Sequence, residues 1–198
     1  MNNSNQNSGE HSSPRSDRHV KLFIPGPTEV RAEILDAQAQ WMVGHRMPEC
    51  ADLVGSILPK LSKVFSTQQT VLITASSGTG LWEAAVRNCV GKKVLTCVNG
   101  AFAERFSDVA GLNGKEMEVL SAPWGQPILP EQVVERLSSG EFDAVTVVHN
   151  ETSTGVTSPI REIAQAIRAM PGGGDIMILV DSVSGPAGAR IAMDAWDL

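Results

Sequence analysis

The sequence predicts an α/β fold with a mostly parallel, doubly wound sheet. Two observations lead to this prediction. Short apolar segments alternate with helical segments over most of the chain, and several of the apolar segments run without a polar interruption. An uninterrupted apolar strand is typical of a parallel sheet, because helices cover both faces of such a sheet.

A region of different character precedes this alternation. Residues 1–19 are rich in Asn, Ser and Gln and contain no apolar cluster, which predicts a disordered tail. Helices are predicted over Val30–Trp41 and Cys50–Phe65, and apolar residues recur at helical spacing in the second of them. Pro59 lies inside the second segment, so we expect that helix to be kinked or split.

Strands and helices are predicted to alternate through the rest of the chain. The predicted strands are Val71–Ile73, Val94–Val98, Glu116–Leu120, Ala144–Val148 and Ile176–Val180. The predicted helices are Thr79–Cys89, Ala101–Gly111, Pro130–Leu137 and Ile160–Met170. Ligands of such sheets bind outside the carboxyl ends of the strands, so the residues that follow each strand are the candidates for a site.

Composition and charge disfavour several classes of function. The net charge of -6 and the pI of about 5.2 argue against nucleic acid or an anionic membrane as the partner. The apolar run Ile176–Val180 is too short to cross a bilayer, and no secretory signal is visible, which predicts a cytoplasmic protein. The three cysteines form no CxxC motif and have no zinc spacing to histidine, so reduced thiols and no metal site are expected.

The turn after the first predicted strand is a candidate phosphate site. Residues 75–80 (ASSGTG) are small and open a helix, whose free N–H groups and positive dipole end attract an anion. Ser77 and Thr79 add hydroxyl groups, although these hydroxyls could merely cap the helix. The turn lacks the GxGxxG and GxxxxGK[ST] patterns, which disfavours a nicotinamide cofactor and ATP.

Three further strands are followed by residues suited to a flat, charged ligand. Phe102 could stack on a planar ring or belong to the core, and the polar run 149–155 (HNETSTG) is either a site or a solvated loop. Asp181 ends an apolar strand, where a carboxylate needs a positive partner unless it caps a turn. Pyridoxal 5′-phosphate (PLP) has the phosphate, flat ring, ring hydroxyl and protonated ring nitrogen that would satisfy all four loops.

Short motifs between residues 22 and 198 also follow the order found in one enzyme family. They are PGPT within Phe23–Val30, GHR within Met42–Arg46, and the segments Ser77–Gly80, Asn99–Phe102, Ala122–Gly125, His149–Val156 and Val180–Ser184. Each motif is weak alone. The ordered set resembles the class V aminotransferases, and within them most of all the alanine– or serine–glyoxylate (serine–pyruvate) aminotransferases.

The resemblance implies a fold and the first part of a cofactor site. The fold is the large domain of the fold type I PLP-dependent transferases, in truncated form. Ser77, Gly78 and Thr79 would hold the phosphate of PLP, and Phe102 matches the position whose aromatic ring stacks on the cofactor.

Four more residues receive roles from the same resemblance. Thr152 matches the hydroxyl residue beside O3′ of the ring, and Asp181 matches the acid that pairs with the pyridine nitrogen. Val183 would pack on the opposite face of the ring. Gly26, in the PGPT motif, lies near the substrate in the family.

The implied reaction of the parent enzyme is transamination between alanine or serine and glyoxylate or pyruvate, carried out by a homodimer. No lysine follows Lys115 in this sequence. The Schiff-base lysine and the small C-terminal domain of the family are therefore expected beyond Leu198, and residues 20–198 are predicted to comprise the N-terminal segment and part of the large domain. No catalytic residue is predicted in the chain, which is expected to be inactive alone.

Two other functions remain open at this point. The first keeps the cofactor and changes the reaction, as in a cysteine desulfurase or another class V lyase, whose nucleophilic cysteine would lie outside this chain. The second is a non-catalytic binding module built on the same fold, which the missing lysine motivates.

Overall fold

The computed structural model describes residues 19–198, so the predicted tail lies outside the described residues apart from His19. The described residues divide into two compact units, residues 19–42 and Val43–Leu198. Helix α1 of the first unit, Ala32–Gln38, is shorter than predicted, because Arg31 still has an extended backbone and no side chain caps the helix start.

The second unit opens with helix α2, Pro48–Phe65. Pro48 occupies the first turn, where a missing N–H costs nothing because that group has no helical partner. The predicted split at Pro59 is wrong, since the helix continues through this residue. A proline removes one backbone hydrogen bond, and the bonds on either side are enough to keep this helix continuous.

The alternating elements follow. The helices are α3 (Gly78–Cys89), α4 (Ala101–Leu112), α5 (Pro130–Ser138), α6 (Ile160–Ala169) and α7 (Met193–Trp196). The strands are β1 (Lys93–Val98), β2 (Glu116–Ser121), β3 (Ala144–Val148), β4 (Asn150–Glu151), β5 (Val156–Thr157) and β6 (Met177–Asp181). Helices α3 to α6 and strands β1, β2, β3 and β6 were predicted with ends correct to within one residue, whereas β4, β5 and α7 were not predicted.

The main sheet has four strands in the order β2-β1-β3-β6, all parallel. Lys93 lies opposite Glu116 at one end of the β1–β2 register, and Val148 lies opposite Asp181 at the carboxyl end of the β3–β6 register. Strand β3 is buried over its whole length, as expected for a central strand between two helical layers. Asp181, the last residue of β6, therefore lies at the carboxyl edge of the sheet, opposite the end of β3.

Helices cover both faces of this sheet, which confirms the predicted doubly wound α/β class. Alternate strand residues point to opposite faces. One face packs against α5 and α6, through Leu95, Val145, Ile178, Val133, Leu137, Ile163 and Ile167. The other face packs against α3 and α4, through Val94, Ala144, Leu179, Trp82, Val86, Phe106 and Val109.

The strand predicted over Val71–Ile73 is wrong. These residues have no regular secondary structure, and none of the described strands pairs with them. Leu72 is 86% exposed and Ile73 is 54% exposed. An apolar run becomes a strand only where a neighbouring strand accepts and donates its backbone hydrogen bonds, and within residues 19–198 no neighbour does so.

No helix within residues 19–198 is long and apolar enough to span a bilayer.

Candidate functional site

The strand order creates a crevice at the carboxyl edge of the sheet. From β1 the chain crosses to β2 on one side, whereas β3 and β6 lie on the other side. The loops after β1 and β3 therefore leave the sheet in opposite directions, and such a switch point is where open α/β sheets bind ligands. The loop after β6 and the start of α3 border the same edge, as the contacts below show.

The start of α3 has two free backbone donors. Ser77 is the N-cap residue, and its Oγ accepts a hydrogen bond from the N–H of Gly80 at 3.2 Å. The capping alternative is therefore observed. In the described part of the chain, the N–H groups of Gly78 and Thr79 bond to no protein atom. These donors, at the positive end of the helix dipole, are suited to bind an anion.

The start of α3 lies beside the end of β6. A Cβ built on Gly78 would lie 3.5 Å from Cγ2 of Val183. The indole of Trp82, in the next turn of α3, lies near the carboxylate of Asp181 and lowers its pKa. The structure therefore brings together the glycine-rich turn, Asp181 and Val183, which the family resemblance had assigned to one cofactor site.

Asp181 is a buried carboxylate that no cation of residues 19–198 pairs with. It is 8% exposed, and Oδ1 accepts a hydrogen bond of 2.8 Å from the N–H of Val183. Burial raises the pKa of Asp181, the bond from Val183 and the nearby indole of Trp82 lower it, and the charge of Glu151 raises it, so the pKa lies above its ordinary value. Within residues 19–198 no lysine, arginine or histidine forms an ion pair with Asp181.

Phe102 lies in the first turn of α4, at the mouth of the crevice. Its side chain is 40% exposed and belongs to neither core cluster, so the core alternative is not supported. An aromatic ring in this position can stack on a planar ligand.

The loop after β3 is tied to the loop after β6. The hydroxyl groups of Thr152 and Ser184 share a hydrogen bond, and Nδ1 of His149 lies 2.9 Å from Oγ of Ser182. His149 is buried, and burial lowers its pKa, which favours the neutral imidazole at neutral pH. The polar run 149–155 is therefore partly buried and held by partners, so it is not simply a solvated loop.

Sequence reasoning missed two residues that shape this site. Glu151 is a fully buried acid that bonds to the start of α4, and Trp82 is a buried aromatic that lies near Asp181 and lowers its pKa. Glu151 could have been noticed by the argument that singled out Asp181, because it is also an acid that closely follows an apolar strand. Nothing in the sequence indicates the partner of Trp82, since that contact joins segments about 100 residues apart.

Gly26 belongs to the N-terminal unit, so its role stays a prediction. Lys92, Lys93 and Lys115 lie at the amino edge of the sheet, where they bond to Glu116, Glu118 and the Val90 carbonyl. In the described residues, no group of three His, Cys, Asp or Glu side chains is placed to hold a metal.

Comparison with known proteins adds sequence relatives, although no family model matches the chain. The chain is 38% identical to an uncharacterized aminotransferase of Methanocaldococcus jannaschii, over 89% of the chain and 46% of that protein. It is 35% identical to the small subunit of a soluble hydrogenase of Synechococcus, over 89% of the chain and 47% of that protein. It is 36% identical to the serine–glyoxylate aminotransferase of Methylorubrum extorquens, over 88% of the chain and 44% of that protein.

The fold agrees with these relatives. The crystal structure of an alanine–glyoxylate aminotransferase from Nostoc matches with a TM-score of 0.86 and 30% identity, over 94% of this chain and 49% of that one. The chain spans about half the length of the curated relatives it matches. Similarity in sequence and fold over nearly nine-tenths of its residues shows that the chain belongs to the class V family of PLP-dependent aminotransferases.

Proposed function

We propose that the carboxyl edge of the sheet binds PLP and that the protein works as an aminotransferase. The observation that carries this proposal is the buried, unpaired carboxylate of Asp181. A buried charge without a partner is costly, and a protonated pyridine nitrogen supplies the cation that this site lacks. Bound PLP supplies an electron sink for bonds to the substrate Cα, and Asp181 maintains the proton on the ring nitrogen that this chemistry needs.

The start of α3 fits the other end of the cofactor. The free N–H groups of Gly78 and Thr79 and the hydroxyl of Ser77 would bind the phosphate, which the helix dipole also favours. Val183 lies next to Gly78 and links this turn to Asp181. One ligand can therefore contact the start of α3 through its phosphate and Asp181 through its cationic ring.

The two faces and the hydroxyl of the ring have partners in the same crevice. Phe102, partly exposed at the start of α4, would stack on one face, and Val183, which is 76% exposed, would cover the other. Thr152 would bond to the ring hydroxyl O3′. These side chains orient the ring, and Asp181 holds its nitrogen.

The substrates proposed for the whole protein are a small amino acid, alanine or serine, and a 2-oxo acid, glyoxylate or pyruvate. Relatives named as serine–glyoxylate and alanine–glyoxylate aminotransferases support this choice. We further propose that the whole protein is a cytoplasmic homodimer and that Gly26 lies near the substrate. Residues 19–198 place no lysine beside Asp181, so we expect this chain alone to bind the cofactor without covalent attachment and without turnover.

The cysteine desulfurase alternative is not favoured, because relatives 36% and 38% identical to the chain are named as aminotransferases. The non-catalytic module differs from the proposed function in one respect: the whole protein would bind PLP without transferring an amino group. Mixing the whole protein with serine or alanine and glyoxylate, and measuring the glycine formed, separates these two possibilities.

The binding proposal is tested by titrating the chain with pyridoxamine 5′-phosphate, which has the ring and phosphate but no aldehyde to react with surface lysines. Asp181→Asn should weaken binding about 10- to 100-fold, the range expected for losing a charge-assisted hydrogen bond. Asp175→Asn is the matched control, because Asp175 is exposed just before the opposite end of β6. Equal affinity of the Asp181→Asn variant and the wild type would contradict the proposal.

A further inference from the structure

A buried carboxylate on the loop after β3 anchors the start of α4. Glu151 is fully buried. Its Oε2 accepts a hydrogen bond from the N–H of Ala103 at 2.9 Å, and its Oε1 accepts one from the N–H of Phe102 at 3.4 Å. Oγ of Ser153 accepts a third, from the N–H of Ala101 at 3.0 Å. The first three N–H groups of α4 are therefore bonded to one short segment of this loop.

The same loop keeps the carboxylate in place and ionised. Ser153 donates to Oε1 of Glu151 through its N–H at 3.0 Å and through its hydroxyl at 2.7 Å. Burial raises the pKa of Glu151, but the bonds from Ser153, Ala103 and Phe102 outweigh burial and leave the pKa below its ordinary value. The positive end of the α4 dipole acts in the same direction.

Gly100 makes room for this arrangement. A Cβ on Gly100 would lie 2.3 Å from Cγ of Glu151 and 2.7 Å from Oγ of Ser153. The φ of Gly100 is 173°, which is extended backbone that any residue adopts. Glycine is thus needed here for space, because any larger residue would push the carboxylate away from α4.

The two helix starts at this edge of the sheet are used differently. At α3, the N–H groups of Gly78 and Thr79 have no partner in the described residues, whereas at α4 the corresponding groups are all bonded to the loop after β3. An anion that reaches this edge therefore finds free donors at α3. The start of α4 instead serves to hold Phe102 next to the loop.

We propose that Glu151 is a positioning residue for the cofactor ring. Glu151 joins the backbone of Phe102 to the segment that carries Thr152. It thereby fixes the distance between the aromatic ring of Phe102 and the hydroxyl of Thr152, which would contact the cofactor ring in the crevice. Glu151 acts through these two neighbours. The inference rests on the proposed function, because it requires a PLP ring in the crevice.

The test compares Glu151→Gln with the wild-type chain. Glutamine keeps the size of the side chain, but its amide NH₂ would face an N–H of α4 and lose one of the two acceptors. Glu104→Gln is the matched control, because Glu104 lies in the first turn of the same helix and is exposed. The probes are pyridoxamine 5′-phosphate, which has the ring, and inorganic phosphate, which lacks it.

We expect Glu151→Gln to weaken pyridoxamine phosphate binding about 10-fold or more. The reason is that Phe102 and Thr152 contribute less binding free energy when they are displaced from the ring. The affinity for inorganic phosphate should stay within about twofold of the wild-type value, since Glu151 makes no hydrogen bond to α3. The induced circular dichroism of the bound ring should fall, and amide exchange at residues 101–103 should become faster. Glu104→Gln should leave all four measurements unchanged.

The possible failures are distinguishable. If the wild type binds pyridoxamine phosphate and Glu151→Gln binds it equally well, the positioning role is wrong and the proposed function stands. An equal loss of both affinities would mean that Glu151 supports the fold in general, which also overturns the role. A wild type that binds no pyridoxamine phosphate overturns both proposals. If Glu151→Gln does not fold, Ser153→Ala, which removes the hydroxyl that donates to Oε1 of Glu151 and accepts from the N–H of Ala101, must weaken pyridoxamine phosphate binding and leave phosphate binding unchanged.

Discussion

The backbone N–H of Val183 donates a hydrogen bond of 2.8 Å to Oδ1 of Asp181 at the end of β6. This donor is neutral, and so is the nearby indole of Trp82, so both lower the pKa of Asp181 without cancelling its charge. No cation in residues 19–198 pairs with Asp181, so nothing in these residues compensates the charge of the ionised carboxylate. Stability and ligand binding should therefore respond in opposite directions when this charge is removed.

Asp181→Asn is expected to stabilise the cofactor-free chain at pH 7. Burial raises the pKa of Asp181, so the folded state binds its proton more tightly than the unfolded state does. The contribution of Asp181 to stability is then present at low pH and is lost as the pH rises through the raised pKa. The variant should have a free energy of unfolding about 1 kcal/mol higher at pH 7, with a smaller gain at lower pH. Urea unfolding at pH 7 and pH 4.5 measures both values, and a variant less stable at pH 7 would contradict this prediction.

Ser77 can be tested for its two roles separately. Ser77→Ala should lower the free energy of unfolding by about 1 kcal/mol through loss of the N-cap, and should also weaken phosphate binding. Ser77→Asp keeps a good N-cap but adds a negative charge, so it should retain stability and lose phosphate binding. Urea unfolding and calorimetric titration with inorganic phosphate give the two quantities. Phosphate binding that survives in Ser77→Asp would indicate that Ser77 is a cap alone.

Ile163 supports the sheet from α6. It is fully buried, and α6 buries Ile160, Ile163, Ala164 and Ile167 along one face. Ile163→Ala removes buried methyl and methylene groups and leaves a cavity, so we expect a loss of about 2–5 kcal/mol in urea unfolding. Arg161→Ala, on the exposed face of the same helix, should change stability by less than about 0.5 kcal/mol. Similar losses for both variants would show that α6 does not pack on the sheet as described.

Cys97 should resist thiol reagents in the folded chain. It is 2% exposed on β1, and burial raises the pKa of its thiol to about 12, so almost no thiolate forms at pH 8. Cys50 and Cys89 are half-buried and should react first with iodoacetamide. Mass spectrometry of labelled peptides measures the order of reaction. Labelling of Cys97 at the rate of Cys89 in the folded state would contradict its burial in the core.

Part of the candidate site followed from the sequence because Asp181 and the polar run 149–155 lie at the ends of apolar strands. Ala144–Val148 and Ile176–Val180 were recognisable by composition alone, and parallel strands bring their carboxyl ends to one edge. Asp181 could thus be placed near a ligand edge without coordinates. The roles given to Ser77, Phe102 and Thr152 remain predictions, although the structure describes where each of them lies.

What the sequence by itself determined was the set of local elements, since helix period and strand apolarity depend on neighbouring residues. Only the tertiary structure decided which elements meet. Val71–Ile73 has the composition of a strand but no partner strand among residues 19–198, and its Leu72 and Ile73 stay exposed. Glu151 reads as one polar residue in a polar run, yet it bonds to the N–H groups of Phe102 and Ala103, nearly 50 residues earlier. Both outcomes depend on hydrogen bonds between distant segments, which the order of residues does not specify.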